Sequence, residues 1–438
     1  MTPHEPRPAE NWWSSSLDYA AVSNVGMQRT NNQDAHIEIP AASKHLWRER
    51  GHLFMVADGM GAHAAGERAS EMAVLLTSQS YTKRVEQPPH EAIQDAIADA
   101  HQQIKLQGEA DEAFRSMGTT ADVLLLLPEG ALNAHVGDSR TYRLRDGWYE
   151  QITFDHSLLW ELTRKGKVDP AQLPPHIPKN VITRSLGPGS NPKVDLEGPF
   201  PLKKGDTFLL CSDGLSGQVE DAEMGQILSL LPPAKAVQAL VSLANLSGGP
   251  DNVTVTVVKI LDLPDPEDRT GEAKFAVKRD PIPPAAWGTL GGAFGLFLMG
   301  LLFLMGKEIP LLLSILSFAT SLGSLGAFFA LARKSLFPPK ERPLNHTRFG
   351  SGPYCRVDAR PSAPFAEKLL GYCRKLDGAT RVRLSEELRK RNDILFRRSS
   401  EAFARHDYQQ SILLSLEYID NGYGALWGSG GEPAGGEQ

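Results

Sequence analysis

Residues 54–62, FMVADGMGA, carry an apolar run straight into Asp58-Gly59 and then turn. A strand-forming run that stops at an Asp delivers its carboxylate to the strand's end. The same punctuation returns at Asp138 in HVGDSRTY (135–142) and at Asp213-Gly214 in FLLCSDGLS (208–216). Asp251-Asn252 in GGPDNVTV (248–255) opens a run instead of closing one, and Asp34 ends the polar stretch GMQRTNNQDA (26–35). Carboxylates gathered at one end of a fold raise each other's pKa unless a cation holds them ionised, and hard divalent ions take oxygen ligands. The five acidic positions therefore point to a metal site.

Outward from these stations, ADVLLLL, LNAHVGD, DTFLLCSD and NVTVTVVKI read as further strands, punctuated by Gly and Pro. Helical spacing appears in Gly66–Tyr81 and His90–Leu106, in Ser157–Lys165, and as a pair within Asp221–Leu246. Strands and helices in this irregular order predict an α+β sandwich instead of a doubly wound sheet.

At 438 residues the chain is long enough for two or three units, and 41% apolar with 22% charged residues describes a folded protein. A formal net charge of −6 argues against a nucleic-acid partner. Three widely spaced cysteines, Cys211, Cys355 and Cys373, form no CxxC pair, so neither a disulfide framework nor a zinc site is expected.

The predicted organisation begins with a disordered N-terminus (1–16), a catalytic domain (17–262) and a Pro-rich linker (263–284). Two transmembrane helices occupy 285–332, because Ala285–Gly306 and Ile309–Ala332 are uncharged and each long enough to cross a hydrocarbon core. Only Lys307 and Glu308 separate them, so the spans form a hairpin. Lys278 and Arg279 on one flank and Arg333, Lys334 and Lys340 on the other put both flanks in the cytoplasm. A basic extended linker (333–363), a small helical cytoplasmic module (364–420) and a flexible tail (421–438) follow. Within the module AFARHDYQQSILLSLEYID looks faintly like one hairpin of a tetratricopeptide repeat, and a single such unit cannot bury its own face.

Eight stretches stand in one order over Ser23–Val258: SNVGMQRTNNQDA, VADGMGAHAAGERAS, MGTTADVLLL, AHVGDSRTYRL, ITFDHSLLWEL, NVITRSLG, LLCSDGLS and GPDNVTVTVV. Together they resemble the metal-dependent protein phosphatases of type 2C, in their bacterial branch. The resemblance implies two packed antiparallel sheets flanked by helices, with two Mn²⁺ or Mg²⁺ ions at one end. It implies hydrolysis of phosphoserine and phosphothreonine on proteins by attack of a water or hydroxide bridging those ions. Asp58 would bridge the ions, the Gly59 carbonyl would approach one of them, Asp213 and Asp251 would complete a shell, and Asp34 would act through bound water. Arg29 would hold the phosphate, a task suited to its planar fork. Asp138 has two readings, a third ion shared with Asp213 or a loop anchor paired with Arg140.

Three positions depart from the family's pattern. Gln33 stands where animal members carry Glu, Ala62 replaces a usual Gly, and Met60 occupies the place of a proposed general-acid His. His63 or a bound water is then the candidate proton donor. Residues 159–184 occupy the place of the bacterial flap. The expected partners are phosphoproteins made by a Ser/Thr kinase and the lipid of the cytoplasmic membrane. Two other readings compete with the tethered phosphatase: a catalytically dead membrane scaffold, and an enzyme dedicated to one anti-sigma-type regulator.

Overall fold

The computed structural model describes residues 16–62, 64–164, 181–263, 284–305, 311–336, 349–381 and 383–427. Its elements in chain order are β1 (Leu17–Asn24), β2 (Asp34–Ile39), α1 (Lys44–Arg50), β3 (His52–Met60), α2 (Ala65–Lys83), α3 (Pro89–Ala110), β4 (Gly118–Thr119), β5 (Ala121–Leu127), β6 (Gly130–Val136), β7 (Arg140–Arg145), β8 (Trp148–Gln151) and α4 (Leu158–Arg164). Then come β9 (Asp195–Phe200), β10 (Thr207–Cys211), α5 (Asp213–Ser216), α6 (Asp221–Leu230), α7 (Pro233–Leu246) and β11 (Val253–Ile260). The last are α8 (Pro284–Met305), α9 (Leu311–Leu336), β12 (Cys355–Asp358), α10 (Ala363–Thr380), α11 (Glu386–Ala404) and α12 (Tyr408–Trp427).

Two antiparallel sheets result, in the order β1-β11-β10-β7-β8-β12 and β2-β3-β5-β6-β9, with β4 paired to the end of β3. The sheets face each other across Phe54, Val56, Leu124 and Leu126 on one side and Phe208, Leu210, Val258 and Ile260 on the other. Strand alternation sends the intervening residues Leu209, Cys211, Val255 and Val257 to the opposite face, where α6 and α7 cover them. These strands are therefore buried on both faces, which is why β10 reads as the apolar run FLLC, while β11 interleaves buried Thr254 and Thr256 with its valines. The α+β sandwich flanked by helices agrees with the sequence expectation.

The C-terminal region differs from that expectation. Residues 333–363 were read as an extended linker, yet Cys355–Asp358 forms β12 and pairs with Trp148–Gln151 as the edge strand of the first sheet. Helices α10, α11 and α12 do form the small helical module, but it is not separate. Phe365, Leu369 and Cys373 of α10 and Ile412, Leu416 and Ile419 of α12 share one core with Val237, Leu240 and Leu243 of α7. The chain accordingly divides into two compact units, one uniting the sandwich with these C-terminal helices and the other containing α8 and α9. The burial of α7 reflects this docking: in PAKAVQALVSLANL only Ala234, Lys235 and Gln238 are exposed, while even the polar Ser242 and Asn245 are buried.

In the second unit, α8 and α9 pack along small residues. The Ser317 Oγ donates to the Leu296 carbonyl at 2.6 Å and the Ser321 Oγ to the Ala293 carbonyl at 2.7 Å. Gly300 lies so close to the Phe318 ring that a Cβ there would meet it at 3.0 Å. Small residues and hydroxyl-to-backbone bonds at a helix pair are the packing style of membrane helices. Both helices are long and apolar enough to cross a membrane, with mean hydropathy 1.9 over Pro284–Met305 and 1.8 over Leu311–Ala332.

Candidate active site

Antiparallel pairing of β2 with β3 sets Asp34 directly opposite Asp58. Both lie at one end of their sheet, and β10 and β11 of the facing sheet bring Ser212-Asp213 and Asp251-Asn252 to the same end. Polar contacts lock the two sheets together there. The Ser212 hydroxyl donates to the Asp34 carboxylate at 2.7 Å and accepts the Thr254 amide at 3.0 Å. The Asn252 side chain accepts the Gln33 amide at 2.9 Å and donates to the carbonyls of Val25 and Asn31, both at 2.9 Å.

Asp58 is held by its backbone. Its amide donates to the Thr120 hydroxyl at 2.8 Å, and its carbonyl accepts the Thr119 hydroxyl at 2.9 Å. At Gly59 a Cβ would lie 2.1 Å from the Gly66 carbonyl and 2.4 Å from that of Gln33, so only glycine fits this turn.

Electrostatics bind the carboxylates into one group. Burial, then the charges of Asp34, Asp213, Asp138 and Asp251, hold Asp58 well above the usual carboxylate range. Burial pushes Asp34 up to about 7, partly opposed by hydrogen bonds from Ser212 and Thr254. Asp213 is raised by burial and by Asp251. Asp138 is pushed up to about 7 by burial and by Asp213 and Asp155. Burial is the larger cause in each case, and the charges of neighbouring carboxyls add to it.

Arg29 reaches the group from outside, its Nη2 donating to Asp251 Oδ2 at 2.8 Å, with both side chains partly exposed. Asp138 does not pair with Arg140. That guanidinium instead grips Asp155, with Nε donating to both carboxylate oxygens at 3.0 Å and Nη2 at 2.7 Å. The loop-anchor reading of Asp138 is thus corrected: Asp155, four residues beyond β8, has the bidentate geometry. Asp138 Oδ1 is left buried with no hydrogen-bond partner. His63 and most of the expected flap, 165–180, lie outside the described residues. His156 orders its loop, accepting the Gly137 amide at Nδ1 (3.1 Å) with Nε2 3.0 Å from Asp195.

Metal fit follows from the donor set. The candidate donors are carboxylate oxygens and the Gly59 carbonyl, the oxygen chemistry of Mg²⁺ and Mn²⁺ sites, and the buried Asp138 Oδ1 lacks a partner. Among the described residues no group of three or more His, Cys, Asp or Glu side chains is arranged to hold a metal ion, so the fit rests on the chemistry of the donors and on the unpartnered Asp138 oxygen.

Sequence reasoning did not single out Ser212, Asn252, Thr120 or Asp155 as site-building residues. Each lies within one residue of a highlighted Asp or in a quoted motif, so proximity to the motifs was the available signal. A cleft of about 660 Å³ runs along Ile104, Lys105, Met117, Gly187 and Pro188, and none of Asp34, Asp58, Asp138, Asp213 or Asp251 lines it.

A fold of two antiparallel sheets with acidic residues at one shared end defines a hydrolase of the metal-dependent phosphatase class. Residues 27–245 match the model of the family described as protein phosphatase 2C, and the chain belongs to that family. It is a protein serine/threonine phosphatase. Protein phosphatase PhpP of Streptococcus pneumoniae is 36% identical over 248 residues, which span 56% of this chain and 98% of that protein. The serine/threonine phosphatase stp of Listeria innocua is 37% identical over 217 residues, 48% of this chain and 86% of that one. The solved S. agalactiae serine/threonine phosphatase has a TM-score of 0.50 at 30% identity, covering 56% of this chain and 99% of its own.

Proposed function

We propose that this chain is a membrane-tethered phosphatase that removes phosphate from serine and threonine on proteins using two divalent ions, Mn²⁺ or Mg²⁺, with room for a third. The observation that carries the reading is the convergence of Asp34, Asp58, Asp138 and Asp213 at one end of the sandwich, each driven above its ordinary pKa by burial and its neighbours. Asp58, Asp213, Asp251 and the Gly59 carbonyl would hold the two ions, Asp34 would bind their water, and Asp138 with Asp213 would hold the third. When bound, such ions supply a nucleophilic water at neutral pH and neutralise charge on the phosphoryl group.

The chain's own residues do the rest. Arg29 offers a bidentate fork to the phosphoryl oxygens, exchanging Asp251 for substrate at the exposed rim. Ser212 keeps the Asp34 carboxylate aimed, and Thr119 and Thr120 keep the Asp58 strand end from moving. Met60 cannot donate a proton, so the leaving alkoxide takes one from His63 or from solvent.

Support for tethering comes from the apolar surface of α8 and α9, where Leu302 is 67% and Leu322 75% exposed. Patches of that kind require a lipid or protein cover. Basic flanks on both sides of the helix pair support a cytoplasmic side for the catalytic domain and the C-terminal helices. Retention of all the acidic positions argues against the catalytically dead scaffold. The test is release of phosphate from a phosphothreonine peptide by the full-length chain in detergent: activity that requires Mn²⁺ and is abolished by a chelator supports the reading, and activity indifferent to chelation overturns it.

A further inference from the structure

Two tyrosines of the C-terminal helices touch the end of α7, where the chain turns toward Asp251. Asn245 uses its amide nitrogen twice, donating to the Tyr423 hydroxyl oxygen of α12 at 2.6 Å and to Asn24 Oδ1 at 3.0 Å. Two residues on, the Ser247 hydroxyl is 2.9 Å from that of Tyr372 on α10. Between these contacts and the site lies only Gly248-Gly249-Pro250-Asp251.

That turn is interlocked with the loop carrying Arg29. Met27 N donates to the Gly249 carbonyl at 2.8 Å, and the Gln28 side chain to that of Gly248 at 3.3 Å. Asn24 Oδ1, besides accepting from Asn245, accepts the Gly26 amide at 2.9 Å. Gly26 itself has φ +80°, and a Cβ there would lie 2.1 Å from the Asp251 carbonyl. Whatever fixes Asn245 and Ser247 therefore fixes both the Asp251 turn and the Arg29 loop.

We propose that the C-terminal helices are a built-in support of the catalytic turn, with Tyr372 and Tyr423 as positioning residues for Asp251 and Arg29. The inference rests on the reading of Asp251 as a metal ligand. It gives helices that lie outside the family match at residues 27–245 an indirect role, that of holding the site in place. Undocking these helices would release two contacts at the base of a Gly-Gly turn that has little stiffness of its own. A phosphatase built this way is tuned from its C-terminal side.

The experiment uses the full-length chain in detergent, stripped of metal. Manganese affinity is read by electron paramagnetic resonance, and kcat and KM on a phosphothreonine peptide are measured in parallel. The double variant Tyr372→Phe/Tyr423→Phe is expected to weaken manganese binding about tenfold, the usual scale for losing an outer-shell partner, and to raise KM. Lys368→Met removes the ion pair of α10 to Glu223 (2.7 and 2.8 Å), at the same docking surface but with no path to the turn. It should lower the melting temperature and leave manganese affinity unchanged. Equal weakening by Lys368→Met would assign the effect to docking in general and overturn the role of the tyrosines. Wild-type affinity in the double variant, alongside clear weakening in Asp251→Asn, would overturn the inference alone. Wild-type affinity in Asp251→Asn would overturn the site reading and the inference with it.

Discussion

Ser212 Oγ stands 2.7 Å from Asp34 Oδ2 while accepting the Thr254 amide at 3.0 Å, so one hydroxyl joins β2 of one sheet to β10 and β11 of the other at the site. Ser212→Ala leaves the Asp34 carboxylate without that donor and the Thr254 amide without an acceptor. Loss of a positioning hydrogen bond of this kind costs about 10-fold or more in activity or metal affinity. The variant is predicted to lose activity by that factor while melting as a folded protein. Unchanged kcat and unchanged metal dependence would remove Ser212 from the site's construction.

Arg29 is poised at the rim with its guanidinium on Asp251. Arg29→Ala is predicted to raise KM for a phosphopeptide roughly 10-fold or more, since a charge-assisted bond to phosphate is lost, while manganese still binds. Arg29→Lys should recover only part of the loss, because a point charge does not reproduce the fork. The check is steady-state kinetics at saturating metal, and an unchanged KM in the alanine variant would contradict the assignment.

The bidentate pair of Arg140 with Asp155 is largely buried, with side-chain exposures of 19% and 5%. Removing one partner strands the other, a loss of about 3–5 kcal/mol. Asp155→Ala should therefore shift the urea midpoint of the isolated full-length chain strongly downward. A shift no larger than that of an exposed pair such as Arg115 with Glu112 would contradict the burial argument.

Burial holds His52 neutral, its pKa lowered from 6.5 to about 4, with Nδ1 accepting the Ala41 amide at 3.0 Å. The native state resists taking up a proton that the unfolded chain accepts. Stability from this group is complete above pH 6.5 and is lost as pH falls from 6.5 through about 4, by up to about 3 kcal/mol. Chemical denaturation across that window should show the decline, and His52→Gln should flatten it. An identical slope in the variant would show that other groups carry the acid sensitivity.

What the sequence made legible follows from local chemistry. Apolar runs that stop at an Asp announced β3 and β10 with the carboxylates Asp58 and Asp213 at their ends, and helical spacing announced α2 and α3 with their first residues one position late and their last two and four positions early. β12 was invisible because CRVD is short, sits in a Pro- and Arg-rich stretch, and acquires its strand character only from pairing with Trp148–Gln151, more than 200 residues away. The docking of α10 and α12 left no such trace, because Lys235, Gln238, Ser242 and Asn245 give α7 the polar face of a solvent-exposed helix, although Ser242 and Asn245 are buried in the structure. The partner of Arg140 was missed for a related reason: Asp138 is nearer in sequence, but β7 and β8 carry the guanidinium back to Asp155.

The central claim is that a carboxylate group at the sandwich end binds divalent metal to hydrolyse phosphoprotein esters. Manganese-dependent phosphate release from a phosphothreonine peptide should be measured for the full-length chain, Asp58→Ala and Asp213→Ala, alongside manganese binding. The predicted result is robust activity in the parent chain, near-complete loss in both variants and weakened metal binding in each. Activity that survives both substitutions would contradict the claim.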